Sequence, residues 1–301
     1  MMRITAPVEL GMQIELRNAS IEFLSKIRDH SRTTGVGLHL DFSNLRKIFA
    51  PGAVLLLGEI DKAVSDPNLR IQVSRPKNTI ADEVLQQIGI YERLKVKCDT
   101  PPNHESVIHW RSATGVLSDG PTGGSMLLSY EGRLAEGITK GLYDGIIEAM
   151  TNTVHHAYDG PEGSELKRGI GKRWWMLSQE KDGKLSVSIC DLGIGIPKSL
   201  PRSPSFRWDD VKAFWDGLGL DRRDGSAIRV ALEIGKSRTG QKGRGKGLAD
   251  ILQAVRLSSD GIAHILSNKG SFASFEGNDY ARTHSRSIRG TLINWQVPIA
   301  E

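Results

Sequence analysis

Apolar positions in the first hundred residues come in short blocks that alternate between a period of two and a period near 3.6, the spacings that strands and helices impose on buried side chains. The block around Ile14 and Leu16 reads as a strand, residues 21–27 as an amphipathic helix and 37–42 as a second strand. A second cycle comes next. Residues 53–64 read as a helix, 69–73 as a strand and 80–88 as a helix that begins after the capping residues Asn78 and Thr79. This alternation predicts a small α/β layer domain over residues 1–100.

The pattern lapses over 101–128, which is rich in Pro, Gly, Thr and Ser and reads as a linker, with residues 109–116 offering an edge strand. Beyond it, a second domain over 129–301 opens on a long helical pattern, 129–158, broken near Gly137 or Gly141. Residues 174–179 and 185–191 read as strands of a hairpin closed by the tight-turn dipeptide Asp182-Gly183. Residues 247–257 read as a helix and 290–297 as a last strand, with Phe272, Phe275 and Trp295 as core. The expected class is α/β for both domains, the second a two-layer α+β sandwich.

Composition narrows the function classes. The 301 residues are 39% hydrophobic, enough for a sizeable core, and no apolar run approaches the roughly 18 residues that span a bilayer. The start of the chain lacks a charged-then-apolar signal pattern, so a cytoplasmic protein without a membrane partner is expected. Two cysteines, Cys98 and Cys190, lie far apart and outside any metal-ligand spacing. The net charge is +5, with basic tracts at 236–246 and 282–289 that suit phosphates or nucleic acid and equally suit solvated loops.

Three polar constellations stand out. Asp144, Glu148, Asn152 and His155 share one helix face, with Ile146, Met150, Val154 and Ala157 opposite. Such a stripe fits water, and it also fits a pocket in which a carboxylate activates a hydroxyl and an amide oxygen ligates magnesium. Asp191-Leu-Gly193-Ile-Gly195 comes after a strand, where ordinary turns use the same residues and where a carboxylate can accept from an exocyclic amine while glycines let backbone approach a ligand. Gly243-Arg244-Gly245-Lys246-Gly247-Leu248 opens a helix and offers free amides and two cations to an anion, without the form of a P-loop or a dinucleotide fingerprint.

In this order and spacing, and with Gly290-Thr291 in a later strand, the three resemble the ATP-binding signature of the GHKL family, which includes gyrase, heat-shock chaperones, histidine kinases and mismatch-repair proteins. The resemblance implies that Glu148 is the catalytic acid-position residue and Asn152 the magnesium ligand. It further implies that Asp191 and Thr291 hold the adenine side with Gly193 and Gly195, and that Gly243, Arg244, Gly245, Lys246, Gly247 and Leu248 wrap the triphosphate. Residues 198–242 would hold a mobile lid, and its Trp208, Asp209, Asp210 and Trp215 a partner surface.

The run Glu148-Ala-Met-Thr-Asn152-Thr-Val-His155-His156-Ala-Tyr158 resembles the corresponding box of anti-sigma-factor serine kinases, and brings His156 into the ATP site. Chaperone and gyrase relatives carry Asp where this chain has His155, which separates it from their ATPase cycle. Sensor histidine kinases need a phosphoacceptor histidine on a helical hairpin, which is not found here. In the first domain, Leu40-Asp41-Phe42-Ser43 through Ala50-Pro51-Gly52 resembles the strand-loop-helix core of STAS domains, with Ala50 and Pro51 where phosphorylated antagonists have serine. The expected function is a Mg-ATP-binding regulatory protein that passes the γ-phosphoryl group to a partner protein. An ATP-gated switch or ATPase that controls partner or nucleic-acid binding is the alternative, and a homodimer is compatible with either.

Overall fold

The computed structural model describes residues 1–31, 37–202, 208–221, 223–237, 252, 255–258 and 260–300, with the side chains of 208, 210, 214 and 235–237 left aside. The chain divides into two units: Met1–Ala113 with Trp175–Lys181, and Thr114–Trp174 with Asp182–Glu301.

In the first unit, strands β1 (Met2–Thr5), β3 (Leu38–Asp41) and β5 (Ile71–Ser74) form a parallel sheet in the order β1-β3-β5. A two-stranded parallel pair, β2 (Glu9–Leu10) with β4 (Lys47–Ile48), accompanies it. The register sets Ile4 beside Leu40 and Leu40 beside Val73, so one face is apolar, while Arg3, Thr5, His39, Asp41, Gln72 and Ser74 share the other. Helices α1 (Ile14–His30) and α2 (Ala50–Val64) pack on each other and supply Ile21, Leu24, Ile27, Val54, Leu57 and Ile60 to the core. Each such fully buried side chain stabilises by roughly 1.5–3 kcal/mol.

The stretch around Ile14 and Leu16 is therefore helix and not strand, a correction to the expectation. Its buried positions include Arg17, Ser20, Ile21, Leu24, Ile27 and Arg28, which keep the helical period, together with Phe23, and two of them are arginines that an apolar-period reading skips. Arg28 is compensated within the core by Glu59 of α2, which accepts from its Nε at 2.8 Å. Helix α3 (Thr79–Gln87) begins at Asn78, whose side chain accepts from the Ala81 amide at 2.9 Å, and the short α4 (Ile90–Arg93) comes after it. Asp61 of α2 accepts from Arg93 Nε at 2.7 Å and from the indole of the buried Trp175 at 2.6 Å.

Residues 101–128, read as a linker, carry strand β6 (Arg111–Gly115), an edge strand as expected, and helix α5 (Gly120–Leu128). Helix α6 (Glu136–Asn152) then runs unbroken through Gly137 and Gly141; the interruption falls before it, at residues 129–135. Further along come the short α7 (Gly160–Leu166), the hairpin of β7 (Trp174–Lys181) and β8 (Lys184–Asp191), the short α8 (Ile196–Ser199), α9 (Trp208–Gly217) and α10 (Asp224–Ser237). Asp182 and Gly183 both take positive φ in the β7–β8 turn, as a type I′ hairpin requires. Strands β9 (Ile262–Ser267), β10 (Gly270–Phe275), β11 (Asn278–Thr283) and β12 (Thr291–Pro298) complete a seven-stranded sheet in the order β11-β10-β9-β12-β8-β7-β6.

This mixed α/β architecture agrees with the α+β class expected for the second domain. Trp295 and Phe272 are buried in the sheet's core as expected, whereas Phe275, at the β10–β11 turn, is 40% exposed. Helix α10 occupies part of the span read as lid. Its first turn seats on the end of the β10–β11 hairpin: the Lys269 amide donates to Asp224 Oδ2 at 2.9 Å and the Gly225 amide to Thr283 Oγ1 at 3.0 Å. A Cβ on Gly225 would stand 2.4 Å from the Arg282 carbonyl oxygen, so the approach needs glycine.

Candidate functional site

Helix α6 buries Ile138, Leu142, Ile146, Ala149 and Met150, which leaves the stripe of Asp144, Glu148 and Asn152 on its other side. Asp144 is exposed; Glu148 and Asn152 are half-buried. Asn152 Nδ2 donates to Glu148 Oε1 at 3.2 Å, one turn apart, which turns the amide nitrogen to the carboxylate and the carbonyl oxygen away from it.

Directly after Asn152 the helix widens into a π turn, Thr153–Ala157. Such a turn takes up an extra residue and shifts the residues beyond it out of phase. His155, placed on the polar stripe by a regular helical period, is exposed, while His156 is half-buried. Burial holds the His156 imidazole below its ordinary pKa; Asp159 opposes this, and the Lys172 cation pushes the same way as burial. The carbonyls of the π turn find partners outside the helix. Lys172 Nζ donates to Val154 O at 2.7 Å and the Ile194 amide to Ala157 O at 2.7 Å.

That last bond ties the helix end to the second constellation. Asp191 ends β8 and is buried, paired across the sheet with Thr291 at the start of β12. Its Oδ1 accepts from the Gly193 amide at 2.8 Å. Burial raises its pKa to about 6, against the lowering by that amide and by the neighbouring Thr291. A buried carboxylate with these neighbours keeps lone pairs for an N–H donor, since a carboxylate offers about four acceptor positions.

The loop after Asp191 is shaped by close approach. A Cβ on Gly193 would stand 2.1 Å from Ala157 O, and one on Gly195 (φ 78°) 2.6 Å from Asn268 Nδ2. Gly290 has φ 109°, and a Cβ there would stand 2.1 Å from Asp191 O. Ser267 Oγ accepts from the Ile196 amide at 2.8 Å and bonds to Thr291 Oγ1 at 3.2 Å, while Asn268 Nδ2 donates to Ile194 O at 2.8 Å. Tyr158, at the end of the π turn, is buried; its hydroxyl donates to Arg173 O at 2.8 Å and accepts from the Leu192 amide at 3.2 Å.

Asp191, Gly193, Gly195 and Thr291 thus meet at one end of the sheet, and Ala157 and Tyr158 connect them to the helix that bears Glu148, Asn152 and His156. Gly243, Arg244, Gly245, Lys246, Gly247 and Leu248, and the basic tract from 238 to 246, lie outside the described residues. Ser267, Asn268 and Lys172 carry no signal in the sequence. Ser267 and Asn268 stand where a strand meets a turn, so no periodicity marks them, and Lys172 acts on a carbonyl that is orphaned only because the helix widens.

Among the described residues, no group of three or more His, Cys, Asp or Glu side chains is arranged to hold a metal ion. Cys190 is buried and Cys98 half-buried, both as free thiols. No helix is long and apolar enough to cross a membrane among the described residues. No family model matches this chain, and no curated protein matches it.

Proposed function

We propose that the second unit is a GHKL-type ATP-binding module, that the first is STAS-like, and that the chain is a Mg-ATP-dependent regulatory protein transferring the γ-phosphoryl group to a hydroxyl of a partner protein. The observation that carries the reading is the buried Asp191 carboxylate, seated against Thr291 and joined through the Gly193–Ile194 loop to the end of the Glu148–Asn152 helix. A buried acceptor whose own donors leave capacity to spare fits an exocyclic amine such as that of adenine.

Asn152 and Glu148 supply oxygen ligands suited to a hard cation. Magnesium is commonly held by one or two protein oxygens together with phosphates and water, so an isolated Asn152 carbonyl is an adequate protein share. When bound, the ion would neutralise charge on the transferring phosphoryl group. Glu148 would accept the proton of the attacking hydroxyl, and Asn152 Nδ2, bonded to Glu148 Oε1, would keep that carboxylate oriented. Asp191 would fix the base, so that the phosphate end is delivered toward α6.

Calorimetry with Mg-ATP on the whole chain tests the pocket. Asp191→Asn should weaken binding about 10- to 100-fold, the worth of a hydrogen bond to a charged group. Phosphotransfer from labelled ATP tests the reaction: Glu148→Ala should abolish it while binding persists. If Glu148→Ala and Asn152→Ala both leave turnover and transfer untouched, the reading is wrong.

A further inference from the structure

Across the end of the sheet that carries Asp191, three polar side chains stand in one row. Asp191 of β8 is the ladder partner of Thr291 of β12, and Thr291 is in turn the partner of Ser267 of β9. Cross-strand partners share a face with Cβ atoms about 5 Å apart, so each side chain reaches the next. Asp191 and Ser267 are both buried, and a buried hydroxyl needs partners within the protein.

Those partners give the row a direction. The Ile196 amide, which can only donate, donates to Ser267 Oγ at 2.8 Å. The one hydroxyl hydrogen of Ser267 then has two acceptors within reach, Gly290 O and Thr291 Oγ1, each at 3.2 Å. Where it goes decides what Thr291 shows to Asp191. Given to Gly290 O, it lets Thr291 donate back to Ser267 and turn a lone pair on the carboxylate. Given to Thr291 Oγ1, it leaves the Thr291 hydrogen to point at Asp191. An ionised carboxylate only accepts, so it selects the second arrangement, and hydrogen bonds aligned in one chain strengthen one another. The amide that starts the chain follows directly on Gly195, where a Cβ would stand 2.8 Å from Ser267 Oγ. The glycine loop and the hydroxyl row therefore hold each other in place.

We propose that Ser267 is a positioning residue that makes the base site select a 6-amino purine over a 6-oxo purine. This rests on the reading of Asp191 as the acceptor for a base amine. With its hydroxyl rotor fixed by Ser267, Thr291 donates to Asp191 and leaves the site an acceptor at that point. A 6-amino group donates to it, whereas a 6-oxo group brings lone pairs against lone pairs. Without the Ser267 hydroxyl, Thr291 loses the donor that fixes its rotor, and its hydrogen can swing to a 6-oxo oxygen.

Calorimetry of the full chain with Mg-ATP and Mg-ITP tests this, since inosine has an oxo group where adenosine has the amine. The parent chain should bind ATP on the order of 100-fold more tightly than ITP. Ser267→Ala should cut that ratio about tenfold, the worth of one hydrogen bond. Ser267→Cys keeps the bulk but bonds weakly, and should cut it as well. A structural defect alone would weaken both nucleotides together and leave the ratio unchanged. Thr291→Val breaks the same chain one link further on, so the Ser267→Ala, Thr291→Val double variant should lose about tenfold, not the roughly hundredfold of independent sites. A parent chain that binds neither nucleotide, or both alike, would overturn this proposal together with the reading it rests on. A parent chain that prefers ATP would overturn this proposal alone if the Ser267 variants keep that preference or the two substitutions add independently.

Discussion

Asp191 carries two opposed demands in one carboxyl group. Burial favours its neutral form and raises its pKa to about 6, while a donating amine needs the ionised form. In the unfolded chain the same carboxyl ionises near 3.8, so between about pH 4 and 6 the native state holds the extra proton. This group's share of stability is therefore largest below pH 4 and declines as pH rises toward 6, by on the order of 3 kcal/mol in all. Thermal melts across that window should show the decline, and Asp191→Asn should remove it. Nucleotide affinity should run the other way, level above pH 7 and weakening about tenfold for each pH unit below 6. Calorimetry at pH 5, 6 and 7.5 would show this, and binding that strengthened in acid would contradict an ionised Asp191 as the acceptor. Asp41 in the first unit has the contrary sign. Ser43 and Arg3 donate to its carboxylate, at 3.1 Å and 2.7 Å, and hold its pKa at about 2 despite burial. Its stabilisation is present above about pH 4 and is lost as pH falls through 2, so Asp41→Asn should lower the melting temperature at pH 7 and converge with the parent chain in strong acid.

The π turn is the element on which the candidate site depends. An unbroken α-helix after Asn152 would put His155, and not His156, on the polar stripe, and the Ala157 carbonyl would not meet the Ile194 amide in the same way. Gly193 permits that meeting because nothing stands between it and Ala157 O. Gly193→Ala should push the loop off the turn, costing roughly 1–3 kcal/mol as overpacking does, and should weaken nucleotide binding although residue 193 contributes no side chain. Urea melts together with calorimetry would separate the two effects. Lys172→Met should be milder, about 1 kcal/mol for one lost hydrogen bond, and should raise the His156 pKa because a neighbouring cation is gone; NMR titration of the imidazole reads that shift. Legibility in the sequence divides along the same line. The stripe of Glu148 and Asn152 announces itself by helical spacing, and the β7–β8 hairpin by Asp182-Gly183. The π turn leaves no periodic trace. Strands β9 to β11 give no clear signal because Ser, Asn, Gly and charged residues dilute their alternation, and the start of α1 reads as strand because Arg17 and Arg28 occupy buried positions.

At the scale of the molecule, the first unit is not one continuous stretch of sequence. Residues 175–181 belong with 1–113, and within that unit the buried Trp175 donates its indole N–H to Asp61, which also holds Arg93. No reading from composition recovers this, because the Pro- and Gly-rich run at 101–128 looks like the end of a domain while a remote strand supplies the missing part. A fragment ending at 113 would lose the Trp175 side chain and leave the Asp61 carboxylate with one fewer donor. Removing one donor from this half-buried carboxylate costs about 1 kcal/mol, and losing the ring's buried area adds several more. The fragment should therefore melt well below the first unit in the intact chain, or fail to fold. Trp175→Phe in the intact chain separates the contributions, since it keeps most of the ring's burial and deletes only the N–H. It should lower stability by about 1–2 kcal/mol without touching nucleotide binding, as read by urea melts and calorimetry on one preparation. Fragment 1–113 melting like the first unit in the intact chain would mean that residues 175–181 add nothing to that unit.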